Sequence, residues 1–373
     1  MNTRIIFEAH RCGPEPDARA LETARALETE TYGRVHHELK EEATMHTLVR
    51  LSLTLAAFIG LSLSAAQDLP RVNAAMEAVG TFSWIVHAMD YFGTAEANGI
   101  EVVGTSYASK QATELALRGG EADVTVDDFL GAVILRSVDV DVTGIYPFAK
   151  AVGALVVPVD SDIMDVEGLR GATIAAGSLR DKSLLILRAL TVSEYGFDPQ
   201  ADGEVVAAAP PLMMQLVANS EVDAALPLWH FVARMEAAGT IREIMPVTEM
   251  LAALGLPGDL PNLMILARDD LDAELKTAFI ATFQDTVDVM VATPNDDPFW
   301  QTILDEELYT LPDPSQFTLV IDRWKLGTPD AWTEESIDGL VAMVERLVEL
   351  AGAEVVGVES VPRDAYTTEF NPQ

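Results

Sequence analysis

Gly177-Ser178 separates two stretches of opposite habit. Residues 171–176 before it are a short apolar run of the kind that forms a buried strand, and after it Ile186, Leu187 and Leu190 recur at the spacing of one helix face. A strand, a glycine and a helix N-terminus in succession present free backbone N–H groups and the positive end of a helix dipole beyond the sheet. That chemistry suits a small polar or anionic ligand. The same order of residues also describes an ordinary strand-to-helix turn. Ser178 and Asp181 have the spacing of a capping box, with Asp where Glu is more usual. A second chemistry-bearing pair, Asp127-Asp128, closes the short apolar run 121–126.

Groups for covalent or metal chemistry are scarce. The only cysteine is Cys12, and His87 and His230 are the only histidines beyond residue 46, so a multi-histidine metal site or a dispersed catalytic triad is poorly supplied. No G-x-S-x-G, H-E-x-x-H, Walker or glycine-rich dinucleotide pattern stands out.

The elements that would position these groups alternate. Residues 71–80, 99–103 and 121–126 read as strands, and 85–92, 111–118 and 129–136 as helices, which predicts an α/β lobe with a largely parallel sheet. Ligands of such sheets lie beyond the strand C-terminal ends, here 81–84, 106–109 and Asp127-Asp128. A crossing strand at 154–159 opens a second lobe that repeats this order, with Ser220-Glu-Val-Asp-Ala-Ala answering Gly120-Glu-Ala-Asp-Val-Thr. Residues 204–208 and 221–226 read as its further strands, 211–219 and the stretch from Trp229-His230 to 238 as its helices, and 261–267 as a strand returning to the first lobe. From 271 on, apolar stripes predict helices at 271–291, 299–307, 315–324 and 334–350, packed on the first lobe and followed by a closing tail at 364–371. The expected division is therefore 67–153 with 267–373 as lobe 1, and 154–266 as lobe 2. At 373 residues and 49% hydrophobic, the chain has enough apolar content for two cores.

A formal charge of −35 argues against nucleic acid or an anionic membrane surface as partner. Residues 1–44 differ from the rest and read as an upstream extension preceding the true start at Met45. Residues 45–66 then run as a basic segment, an apolar segment and small residues, the order of a secretory signal peptide. Cleavage after Ala66 would leave a chain with no cysteine, hence no disulfide and no lipid attachment, exported to a periplasm.

The order of elements resembles the periplasmic substrate-binding proteins of ABC importers, in the branch that includes nitrate, alkanesulfonate and taurine binders and binders of the thiamine pyrimidine precursor. Met89-Asp-Tyr-Phe92 with Asn98-Gly-Ile-Glu-Val102 carries the match, as do Ala116-Leu-Arg-Gly-Gly-Glu-Ala-Asp123, Asp165-Val-Glu-Gly-Leu-Arg-Gly171 and Ser220-Glu-Val-Asp-Ala224. Asp90 departs from the family's usual glycine before Tyr91-Phe92. The resemblance implies a two-lobed, type II periplasmic-binding α/β fold that closes on a small solute as a monomer and docks on an ABC permease with its ATPase, without cofactor, metal or catalysis. Mapped onto this chain, the family's cleft loops fall on Ser83, Trp84, Ser106, Tyr107, Asp127, Asp128, Ser178, Arg180, Trp229 and His230. Each has a plainer role open to it: core packing for the tryptophans, helix capping for the aspartates, a solvated face for Arg180 and a satisfied ring for His230.

In that set, Ser178 and Arg180 suit an anion, whereas Asp127-Asp128 suit an amine and the tryptophans a planar or alkyl body. A zwitterion such as a taurine-like sulfonate, or a heteroaromatic amine, satisfies both halves, and plain nitrate does not. Two alternatives remain at this point. One is a ligand-sensing module acting on a receptor. The other is an enzyme of the thiamine pyrimidine synthase type, which would need the cysteine-rich motif that this chain lacks.

Overall fold

The computed structural model describes residues 69–372 apart from Val79, Ala151, Val152, Arg180, Gly258, Asp259, Pro312 and Asp330. The expected extension at 1–44 and signal segment at 45–66 lie outside the described residues. Two five-stranded sheets organise the chain. The first holds β1 (Arg71–Glu77), β2 (Glu101–Tyr107), β3 (Val124–Asp128), β4 (Val142–Ala149) and β10 (Leu263–Arg268), in the order β2-β1-β3-β10-β4. The second holds β5 (Ala154–Pro158), β6 (Thr173–Ala176), β7 (Glu204–Ala207), β8 (Ala224–Ala225) and β9 (Ile241–Pro246), in the order β7-β6-β8-β5-β9.

Each sheet has three parallel strands and then two pairings that run antiparallel. The reason lies in the two crossings. The chain leaves the first sheet after β4 and enters the second as β5; it leaves the second after β9 and returns as β10. Each arriving strand takes the fourth place in its sheet and runs against its neighbours. β4 and β9, edge strands that accompany these crossings, were not evident in the sequence pattern, and β10 belongs wholly to the first sheet, so the return precedes the expected boundary at 266. Gly153 at the first crossing has φ +126, and a Cβ there would drive into the Pro227 carbonyl, so only glycine fits.

The helices are α1 (Phe82–Phe92), α2 (Lys110–Gly119) and α3 (Gly131–Arg136) in the first half. In the second half are α4 (Lys182–Leu190), α5 (Pro210–Ala218), α6 (Trp229–Ala237) and α7 (Val247–Ala253). The C-terminal set is α8 (Ala273–Ala292), α9 (Pro298–Asp305), α10 (Phe317–Leu326) and α11 (Glu334–Ala351). The expected packing of the whole C-terminal set on the first half is corrected. α8 and α9 do pack on α1, but α10 packs on α6 and α11 on α4. The cause is in α4, whose Leu184–Leu187 are four consecutive apolar residues, all buried. A helix apolar all round cannot be covered by one sheet face, and the stripe Ile337, Leu340, Val344 and Leu347 of α11 covers the other side. The closing tail holds to the first half, where the Tyr366 hydroxyl donates to the Phe129 carbonyl and the Trp332 indole N–H donates to the Thr367 carbonyl at 2.7 Å.

The internal echo has a mechanical basis. In the first half, Asp123 accepts from the Asn73 backbone N–H at 2.7 Å while its own N–H donates to the Asn73 carbonyl at 2.8 Å. In the second, Asp223 accepts from the Thr173 N–H at 2.8 Å and donates to the Thr173 carbonyl at 2.9 Å. Each aspartate pins the middle strand of its sheet's parallel trio, β1 or β6, to the strand that follows the acidic turn. The residue ahead of the turn is left-handed in both, Gly120 at φ 75 and Ser220 at φ 57. Ser220→Gly should therefore raise the unfolding free energy by roughly 1 kcal/mol by removing the left-handed penalty. Asp123→Ala should lower it by about 1–3 kcal/mol by orphaning the Asn73 donors. Urea denaturation followed by circular dichroism measures both.

Candidate functional site

The C-terminal ends of β1 and β3 converge with the N-terminus of α2 on one charged cluster. Lys110, the first residue of α2, pairs with Asp127 Oδ1, with Asp128 Oδ2 at 2.6 Å, and more distantly with Glu114 at 3.8 Å. From the second half, Lys182 at the start of α4 brings its Nζ to 3.9 Å from Asp128 Oδ1, so Asp128 stands between cations from both halves. Asp128 Oδ1 also accepts from the Leu130 N–H at 2.9 Å, and Asp127 Oδ1 from the Asp128 N–H at 2.6 Å. The Asp127 side chain is 1% exposed, and its Oδ2 has no hydrogen-bond partner among the described residues. A Cβ on Gly131 would collide with that carboxylate, so the start of α3 is shaped around it.

The electrostatics follow from burial and sign. Burial pushes the Asp127 carboxyl well above its ordinary range, against the pull of Lys110 and with help from the neighbouring Asp128 charge. Burial alone would raise Asp128 too, but Lys110 and Lys182 together hold it below its ordinary value. Burial would lower the Lys110 ammonium, and the two aspartates outweigh this and hold it above. Glu77 at the end of β1 is raised by burial, an effect that Lys110 opposes and Glu114 reinforces. Among the described residues, carboxylates thus outnumber ammonium groups around this junction, and the Asp127 Oδ2 has no donor.

The other expected site residues have different surroundings. Trp84 is fully buried, its indole N–H donates to the Leu308 carbonyl at 3.3 Å, and it meets Trp229, Tyr309 and Phe317 edge to face at 6.4, 5.3 and 5.7 Å. In this state it packs the junction of the two halves and offers no ring face to a solute. Trp229, 7% exposed, joins the same aromatic group. The Ser83 hydroxyl donates back to the Gly80 carbonyl at 2.8 Å and tightens the turn into α1. Ser106 is exposed on the edge strand β2. Tyr107 packs beside Ala75, Ala116 and Ala122, and its carbonyl accepts from the Ala78 N–H at 2.9 Å.

Ser178 is exposed, and the α4 cap is Asp181, which accepts from the Ser183 and Leu184 N–H groups at 2.9 and 3.3 Å. The expected capping box at Ser178 is therefore corrected, because Asp181 reaches those donors directly. Arg180 lies outside the described residues. His230 is buried, neither ring nitrogen is hydrogen-bonded among the described residues, and the ring is close to Tyr309, whose hydroxyl donates to the His230 carbonyl at 2.8 Å. Lys110 was not evident as a site residue. The signal available was its place just after the Ser109 cap, beyond a strand end, in a chain with 24 basic residues against 59 acidic ones.

A family model described as the periplasmic substrate-binding protein of a phosphonate ABC transporter matches residues 89–290. The chain belongs to this family of ABC periplasmic substrate-binding proteins. Its members are substrate-binding components of transporters rather than enzymes. Solved structures support the fold. The alkanesulfonate-binding protein SsuA from Xanthomonas axonopodis pv. citri, bound to MOPS, is similar with a TM-score of 0.60 at 12% identity, over 81% of this chain and 99% of that one. The periplasmic aliphatic sulphonate-binding protein SsuA from Escherichia coli is similar with a TM-score of 0.57 at 13% identity, over 78% and 89%. An ABC transporter protein from Parabacteroides distasonis reaches 0.59 at 13% identity, over 81% and 98%. No curated protein matches the sequence. No helix among the described residues is long and apolar enough to cross a membrane.

Burial without a partner lowers His230 to about 4. The unfolded chain protonates this ring near 6.5, whereas the folded chain keeps it neutral to about 4. The stability it contributes is therefore complete above pH 6.5 and is lost as pH falls toward 4. Between those limits the native chain should lose roughly 3 kcal/mol more than the His230→Phe variant does, at about 1.4 kcal/mol per unit. Urea melts across that range measure the difference.

Proposed function

We propose that this substrate-binding protein captures a small zwitterion, an organic amine carrying a sulfonate-like or phosphonate-like anionic group, where its two halves meet. The halves act as lobes, 67–153 with much of the C-terminal chain against the segment between the crossings, and solute contacts made from both sides favour the closed form. The closed monomer then delivers the solute to a membrane permease driven by an ATPase.

The observation that carries this reading is the Asp127-Asp128 pair between Lys110 and Lys182. The ammonium of the solute takes a place beside Asp128 and the unpartnered Asp127 oxygen, and its anionic end faces the lysines. An excess of carboxylates disfavours a bare anion such as nitrate. The helix ends nearest the cluster point the same way, since α3 and α4 already have their first N–H groups bound by Asp128 and Asp181. A heteroaromatic amine is less well served, because Trp84 and Trp229 spend their rings on each other. The family description and the sulfonate binders among the structural neighbours are consistent with the anionic end.

Calorimetric titration with taurine, 2-aminoethylphosphonate, ethanesulfonate and nitrate tests the reading. The amine-bearing solutes should bind at least about tenfold tighter than ethanesulfonate, a difference of about 1.4 kcal/mol, and Asp128→Asn should erase that margin. Ethanesulfonate or nitrate binding as tightly as taurine would refute it.

A further inference from the structure

A groove of about 640 Å³ runs between α5 and α6, with the buried Tyr309 at its inner end. None of Lys110, Asp127, Asp128 or Lys182 lines it. Met214 on α5 and Phe231 and Met235 on α6 give it apolar surface, and polar side chains interrupt it, His230 and Arg234 of α6 among them. His230 is 5% exposed, and among the described residues neither Nδ1 nor Nε2 has a hydrogen-bond partner. Arg234 is half-buried, and among the described residues no carboxylate or carbonyl pairs with its guanidinium. That is unusual in a chain with 59 acidic residues to 24 basic ones. The nearest acid along α6, Glu236, is already paired with Arg323. Glu307 is the other charged group on the groove, exposed at its rim.

We propose that this groove is a second ligand site, separate from the charged junction, and that it takes an organic anion with an apolar body. The size is that of a small-molecule site. Arg234 supplies a planar set of donors matched to a carboxylate or similar head. Met214, Phe231 and Met235 hold the body, since thioether and ring surfaces adapt to a flexible chain. His230 stays neutral at physiological pH because burial lowers it to about 4, so it adds one donor and one acceptor beside the head rather than a second charge. Tyr309, whose hydroxyl is tied to the His230 carbonyl, seals the inner end. This inference does not depend on which solute the junction takes.

Calorimetric titration of the full chain with octanoate, octanol and octylammonium tests it. Octanoate should bind saturably at one site, at least tenfold tighter than octanol, with no binding of octylammonium. Arg234→Met should weaken octanoate at least tenfold and leave octanol unchanged. Ala218→Trp, at an exposed position on the groove wall, should weaken both, which provides a second readout if the arginine variant folds poorly. Asp128→Asn should leave octanoate affinity unaltered. The proposal is overturned if octanoate does not bind, if octanol or octylammonium binds as tightly, if Arg234→Met and Ala218→Trp have no effect, or if Asp128→Asn abolishes octanoate binding and so places it at the junction.

Discussion

The contact on which the arrangement depends is made by one indole. Trp84 comes from the first helix of the first half, Trp229 from the second half, and Tyr309 and Phe317 from the segment that follows the long helix α8. Edge-to-face pairs of this kind add about 0.5–1.5 kcal/mol each beyond the area they bury. Because Trp84 is fully buried, the larger effect is the removal of a whole indole from water. The principal core consequently runs without a break from one sheet to the other, while a smaller cluster around Val156, Met213 and Val232 serves the second sheet alone. With the halves so joined, α10 and α11 can cover α6 and α4, and Lys182 comes within reach of Asp128.

Polar ties reinforce the aromatic junction. Arg323 on α10 pairs with Glu236 and Glu243 in the second half, the Gln316 amide donates to the Ala237 carbonyl at 2.9 Å, and Tyr309 donates to His230. The C-terminal helices thus act as a strap across both halves rather than as a layer on one. The junction also explains the division of labour between the two polar sites. Among the described residues, carboxylates exceed cations near Asp127 and Asp128, the basis of the proposed preference for an amine there, whereas along α6 Arg234 has no acidic partner, the basis of the proposed preference for an organic anion.

Where a residue's role was set by its immediate neighbours, the sequence was readable. Gly120-Glu-Ala-Asp123 and Ser220-Glu-Val-Asp223 announce a repeated turn because the aspartate must follow the turn by a fixed number of residues to reach the neighbouring parallel strand. The alternation of short apolar runs and helical stripes gave both sheets and most helices. Roles set by distant partners were not readable. A tryptophan after a strand looks the same whether it faces a cleft or another tryptophan, so Trp84 and Trp229 read equally as ligand platforms or as core. Lys110 gained its importance only from Asp127 and Asp128, which arrive on a different strand. The stripe on α11 showed that the helix must pack, but not that Leu184–Leu187 would be its partner. Strand β9, half-buried at a sheet edge, carries Arg242 and Glu243 among its apolar residues and lacked the continuous apolar signature of β5.

The central claim is that the aromatic junction holds the two halves together before any solute arrives. Pulsed electron–electron resonance distances between spin labels at Ser106→Cys and Leu212→Cys, both exposed and on opposite halves, test it directly in a chain carrying Cys12→Ser. The account predicts one narrow distance in the solute-free protein and a longer, broader distribution once Trp84→Ala is introduced. A solute-free protein that already shows the broad, longer distribution, or a Trp84→Ala variant that keeps the narrow one, would contradict it.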